Sequence, residues 1–324
     1  MVPGAGRTEV TAAGICARSG MVARLPLSSI ADVVDVHWFR GERAESGAPP
    51  DLLIEIPHGA TRTADFRALE RLLVSPLPAD LVDFFHVNTD AGAPELGEAV
   101  ARRLVAAEPA RSVAILCCRI PRTFIDCNRQ IDAAPEDFKA GKVTPGLMPW
   151  ITAPEDRALL RGRYETYVAA VRAAAAELRP AGALLLLHSY APRTVDVEVD
   201  LDIVASLHRA YQPDIEPTWP LRPEVDVIAR TPDGVSHAPP AVRDALDAAL
   251  AAAGIAVAES ATYPLHPSTM AWEHVTGRPG RALCLEVRRD LLAEPFEPFR
   301  EMRIGPDKVA RLAAPLAAAL RHFW

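Results

Sequence analysis

Short stretches that are apolar at nearly every position alternate along this chain with longer stretches whose apolar residues recur at helical spacing. Residues 51–57 (DLLIEIP), 112–118 (SVAILCC), 183–187 (ALLLL) and 281–287 (RALCLEV) are of the first kind. A strand that is apolar on both sides is covered on both sides, so these runs predict buried strands between two layers. Residues 225–229 and 255–258 (IAVA) predict two shorter strands. Residues 94–107, 153–178 and 309–322 read as helices, the first with Pro94 at the position where a missing N–H costs least. Strands alternating with helices predict an α/β fold: one three-layer α/β/α domain with a mixed, largely parallel sheet. Residues 1–25 mix Gly, Ala, Arg and Thr without periodicity and predict a loosely structured extension, which leaves 26–324 as the domain proper. Residues 119–150 form a polar connection of a length that usually carries function.

Composition narrows the classes of function. The 324 residues are 49% hydrophobic, 24% charged and 6% aromatic, which describes a globular chain with an Ala, Leu and Val core. A net charge of −7 without any Lys/Arg block offers no footprint for nucleic acid. No run of 18 apolar residues occurs and the N-terminus has no apolar h-region, so the chain is expected neither to span a membrane nor to be exported. The five cysteines (16, 117, 118, 127 and 284) are odd in number, two are adjacent, and none has CxxC spacing. That pattern fits a reducing, cytoplasmic compartment.

Three of the apolar runs deliver an ionisable residue at their C-terminal end: IEIPHG gives His58, LLLLHSY gives His188 and LCLEVRRD gives Glu286. Ligands of open α/β sheets bind outside the carboxyl ends of the strands, so these three residues can share one site. Neutral imidazole is the commonest protein ligand for zinc, and catalytic zinc takes three protein ligands beside an open position. Zinc lowers the pKa of a bound water to about 7, and a neighbouring carboxylate can accept its proton. Glu286 suits that role, although taken alone it reads first as a structural ion-pair partner of Arg288 or Arg289.

The segments HSY at 188–190, DCNR at 126–129 and LEVRRD at 285–290 resemble pieces of zinc carboxypeptidases. A fuller resemblance is to the N-formylglutamate amidohydrolases, whose fold resembles that of the carboxypeptidases. It rests on IPHGATRTADF from Ile56, NTDAGA from Asn88, RTFIDCNR from Arg122, the His-Ser at 188 and the Glu of CLEVRR, five motifs in order. The resemblance implies that 26–324 is an amidohydrolase catalytic domain with one zinc per chain. By it, His58 and His188 are the zinc histidines, Glu286 is the catalytic glutamate, and Asn128 and Arg129 hold the substrate's carboxylate. A planar guanidinium grips a carboxylate through two bonds, which suits Arg129, though Asp126 and Asp132 are possible structural partners for it. Arg119 and Arg122, in the same loop, are candidates for a second substrate carboxylate. Tyr190 is a candidate substrate contact or a wall of the pocket, and His266 in YPLHPSTMAWEH a candidate lining residue.

The sequence also departs from these families. Carboxypeptidases place a Glu three residues after the first His, where this chain has Thr61. Asp90 is the first candidate for the third ligand and Asp65 the second; Asp90 could instead cap the helix that begins near Pro94. Leu186 and Leu187 stand where the amidohydrolases tend to have an acid, and the first motif reads PHGA rather than PHSG. The expected function is zinc-dependent hydrolysis of the amide bond of a small N-acyl amino acid such as N-formylglutamate, a small-molecule substrate with no nucleic-acid or membrane partner. Two alternatives remain open: a zinc carboxypeptidase or amidase acting on a peptide or cell-wall fragment, and a non-catalytic carboxylate-binding protein with a degraded metal site.

Overall fold

The computed structural model describes residues 27–132 and 145–324; the expected N-terminal extension, Cys16 and part of the 119–150 connection lie outside them. Seven strands form one mixed sheet: β1 (Val34–Arg40), β2 (Leu52–Ile56), β3 (Ser112–Cys118), β4 (Ala183–Tyr190), β5 (Val225–Val227), β6 (Val257–Glu259) and β7 (Ala282–Arg288), in the order β1-β3-β2-β4-β7-β5-β6. The four middle strands, β3, β2, β4 and β7, run parallel. On the outside, β1 is antiparallel to β3, and β5 is antiparallel to β7 while β6 runs parallel to β5. All four apolar runs therefore lie in the middle of the sheet, where both faces are buried.

Side chains alternate between the faces, and helices cover each one. Leu52, Ile54, Leu185, Leu187, Leu283 and Leu285 pack against α3 (Ala93–Ala107), α6 (Pro240–Ala252) and α8 (Pro306–Leu320). Their neighbours Leu53, Leu184, Leu186 and Cys284 face the other way. That second layer contains α1 (Thr63–Glu70), α2 (Leu81–Asn88), the long α4 (Pro154–Glu177), α5 (Ile203–Ala210) and α7 (Met270–Gly277). Glu55 is the polar exception within β2; it is buried and accepts a 2.7 Å hydrogen bond from the Tyr167 hydroxyl of α4. The N-terminus of α4 is tied down by Asp156, whose carboxylate accepts from the Val74 amide at 3.1 Å and the Ser75 amide at 2.7 Å. Ser75 reciprocates by accepting from the amides of Thr152 and Ala153. Among the described residues no helix is long and apolar enough to cross a membrane, and Cys117, Cys118, Cys127 and Cys284 are buried free thiols.

Candidate active site

The three strands that end in His58, His188 and Glu286 are adjacent in the sheet, in the order β2-β4-β7. Their carboxyl ends open at one edge, and the register sets His188 directly beside Glu286. Both residues project from the face that carries Leu186 and Cys284. His58 follows β2 in a turn that needs Gly59, because a Cβ there would collide with the Cys117 thiol. Asp90 arrives from the loop between α2 and α3. Its amide donates to the His58 carbonyl at 3.4 Å, and the Thr89 hydroxyl donates to the Ala60 carbonyl at 2.8 Å. Gly92, at φ +88°, then turns the chain into α3, where a side chain would be strained and would meet Leu292. The N-cap of α3 is Gly92, so the Asp90 carboxylate is not spent on capping. One ligand atom from each of His58, Asp90 and His188 lies within 4.8 Å of the others, and all three residues are buried.

These contacts call for a cation. His58 Nδ1 lies 3.2 Å from Asp90 Oδ2 and its Nε2 lies 2.8 Å from Asp126 Oδ1, while His188 Nδ1 lies 2.9 Å from the same Asp90 oxygen. Ionised carboxylates only accept, so an imidazole with a carboxylate oxygen against each nitrogen needs a positive charge on or beside it. A metal held by His58 and Asp90 would meet that need, with Asp126 as the carboxylate support usual for metal-bound histidine. Two imidazoles and one carboxylate are also a catalytic zinc donor set.

The neighbouring groups likewise favour positive charge at this cluster. Burial works to raise the Asp90 carboxyl, but the charge on His58 and the hydrogen bonds from both histidines hold it below the usual carboxylate range. Asp126 likewise resists its burial and is held low by Arg122, Arg129 and His58. His188 is raised well above its ordinary value, because its hydrogen bonds to Asp90 and Cys284 overcome burial. Burial pushes the Glu286 carboxyl up, and its Oε2 is buried with no hydrogen-bond partner. Neither flanking arginine relieves it: Arg288 pairs with Asp290 and Glu224, and Arg289 binds the carbonyls of Val87 and Ser189.

The DCNR loop closes over this group. Asn128 Nδ2 lies 3.5 Å from His188 Nε2, and its Oδ1 accepts from the Ala271 amide. Arg122 donates to Asp126 at 2.8 Å and sits 3.8 Å from Asp90, and Arg129 is 4.0 Å from Asp126. Asp132 pairs with Arg161 instead. Tyr190 is buried, and its hydroxyl donates to the Pro223 carbonyl at 2.7 Å. His266 hydrogen-bonds Ser268, whose carbonyl accepts from the Gln130 amide, so its loop docks on the DCNR loop. Asp65 lies outside the group; it accepts from the Arg62 amide and pairs with Arg119, which also reaches Asp35. The residue that sequence reasoning undervalued is Asp126. It was visible there only as a partner for Arg129, yet it holds His58, Arg122 and the Asn128 amide together. Its place between apolar Ile125 and Cys127 was the available signal.

The profile of the N-formylglutamate amidohydrolases matches residues 50–293, most of the chain and every residue placed in the site so far. The chain belongs to the N-formylglutamate amidohydrolase family. The fold agrees. The crystal structure of N-formylglutamate amidohydrolase from Ralstonia eutropha JMP134 superposes with a TM-score of 0.53 at 20% identity, covering 90% of this chain and 96% of that one. A gene product of Agrobacterium tumefaciens superposes with a TM-score of 0.51 at 17% identity, covering 91% and 97%. At these identities the likeness is one of fold. No curated protein matches the chain. Membership of this family makes the protein an amidohydrolase, and the buried His58, Asp90 and His188 are a group able to bind a metal.

Proposed function

We propose that this protein hydrolyses the amide bond of a small N-acyl amino acid of the N-formylglutamate type, with one zinc held by His58, Asp90 and His188. The observation that carries the reading is the buried convergence of these donors with Asp126 behind His58. Zinc bound there would polarise the acyl carbonyl and bring the pKa of a water to about 7. Glu286 stands beside His188 with an unpartnered oxygen and takes the proton of the attacking water. Its buried, raised carboxyl makes it a stronger base than an exposed glutamate and lets it hold that proton until the amine can receive it. The water oxygen bonds to the acyl carbon, the C–N bond breaks, and the proton leaves Glu286 for the amine nitrogen. The products are the carboxylic acid, formate in the leading case, and the free amino acid. Asn128 and Arg129 orient the substrate through its α-carboxylate, Arg122 adds positive charge, and Tyr190 shapes the wall. The site is expected to act on a soluble small molecule within the cytoplasm.

The test combines metal analysis of the purified protein with formate release from N-formylglutamate. The wild type should carry about one zinc per chain and turn the substrate over. Glu286→Gln should keep the metal and lose about 10²- to 10⁴-fold in kcat. A wild type that retains no divalent metal and releases no formate overturns the reading.

A further inference from the structure

Arg222 differs from the three arginines of the loop after β3. Arg119, Arg122 and Arg129 each have an aspartate partner. Arg222 is half-buried and has no carboxylate partner among the described residues. It follows the segment that pairs with the chain just beyond β4, where the Arg222 amide donates to the Pro192 carbonyl and the Thr194 amide to the Pro220 carbonyl. That places it past the end of the strand that carries His188. Its guanidinium carbon lies 5.0 Å from the Tyr190 ring centroid and 5.4 Å from that of Tyr263. Nε donates to the Thr194 hydroxyl at 3.2 Å, Nη1 to the Ala191 carbonyl at 3.3 Å and Nη2 to the Tyr263 hydroxyl at 2.6 Å. Three of the five N–H donors of the fork are thus engaged, and one on each Nη remains. Tyr190, over whose ring it lies, is two residues beyond His188 in β4 and on the same face of the sheet, which puts Arg222 at the His188 end of that face.

A partly desolvated cation fixed between two aromatic rings, with donors left over and no anion supplied by the protein, is preorganised for an anion from outside. We infer that Arg222 is a specificity residue that receives the side-chain carboxylate of an acidic N-acyl amino acid, while Tyr190 and Tyr263 hold its plane. This assignment rests on the amidohydrolase reading, in which the DCNR loop takes the α-carboxylate. The two carboxylates are then divided between two separately anchored elements, and a neutral side chain of the same shape fails at one of them.

N-formylglutamate and N-formylglutamine separate the side-chain charge from everything else. Wild type should favour the glutamate substrate. Arg222→Gln should cut its kcat/KM by about 10- to 100-fold, chiefly through KM, and leave the glutamine substrate within about threefold. Arg222→Lys should retain part of the preference, and Tyr263→Phe should weaken it by a few-fold with the charge in place; these two carry the test if Arg222→Gln does not fold. Equal losses on both substrates overturn the inference, since that is the signature of a structural residue or of an α-carboxylate contact. Calorimetric titration with L-glutamate and L-glutamine needs no turnover and separates the two proposals. Glutamate binding that Arg222→Gln abolishes supports the inference even where the wild type releases no formate. Turnover of N-formylglutamate with unchanged KM in Arg222→Gln overturns it while the amidohydrolase reading stands.

Discussion

The two faces of the central sheet are made by the same strands and do different work. On the face covered by α3, α6 and α8, the inward residues are apolar along nearly the whole of the strands, as in Leu52, Ile54 and Ile56 of β2 and Leu283, Leu285 and Val287 of β7. On the other face the same strands begin with Leu53, Leu184 and Ala282 and finish with His188 and Glu286. One side therefore supplies apolar burial and the other spends part of its own on charged groups. The lesson lies in adjacent positions: Leu187 and His188 are neighbours in β4, each buried, on opposite sides of the sheet.

The sharpest break of this comparison is a pair of variants at those neighbours. Leu187→Ala should cost about 2–5 kcal/mol of stability in chemical denaturation while the folded fraction keeps its metal. His188→Asn should lose the metal on dialysis and reduce formate release to background, with the fold retained by circular dichroism. If both variants lose stability alike and neither loses metal, the division of labour is wrong. A smaller effect is expected one shell out, where Asp126→Asn keeps the shape of its side chain but not its charge. Metal affinity by competition with a chelator should fall by about 10- to 100-fold.

The smallest expected effect concerns the polar brace on the site side. Burial pushes the Asp156 carboxyl up, but the Ser75 hydroxyl and the Ser75 and Val74 amides outweigh it and hold the carboxyl below its usual value. A depressed folded value means the brace is at full strength above the unfolded pKa of about 3.9 and is lost as pH falls through the folded one. Asp156→Ala should cost about 1–2 kcal/mol at pH 7, because the amide of exposed Val74 can turn to water while that of buried Ser75 loses its partner. The gap between wild type and variant should stay level down to about pH 5 and close below about pH 4. A gap that widens in acid would place the stabilisation elsewhere.

How much of this was legible in the sequence followed from burial. Strands β2, β3, β4 and β7 announced themselves because each is covered on both faces and hence apolar throughout. The first strand, VDVHWFR, did not, because an edge strand is half-exposed and mixes polar with apolar positions. The helices α1, α2, α5 and α7 are eight residues each, shorter than the window over which helical periodicity is read from a sequence. His58, His188 and Glu286 were visible as polar interruptions of apolar runs. Asp90 could be named only beside Asp65, since choosing between them depends on how the loop after α2 docks on His58. Arg222, in the sequence LRPEV, carries no local signal at all. Its aromatic neighbours come from residues 190 and 263.

The spacing of the donor residues has a consequence for how the protein is made. His58, Asp90 and His188 are separated by 32 and 98 residues and meet only after β2 and β4 have paired and the loop after α2 has docked. An unfolded chain cannot gather them, so an ion held by these donors would be a ligand of the native state alone. At free metal one hundred times its dissociation constant, that linkage would add about 2.7 kcal/mol to the folding equilibrium. With a metal bound there, its supply would set the lifetime of the protein as well as its activity.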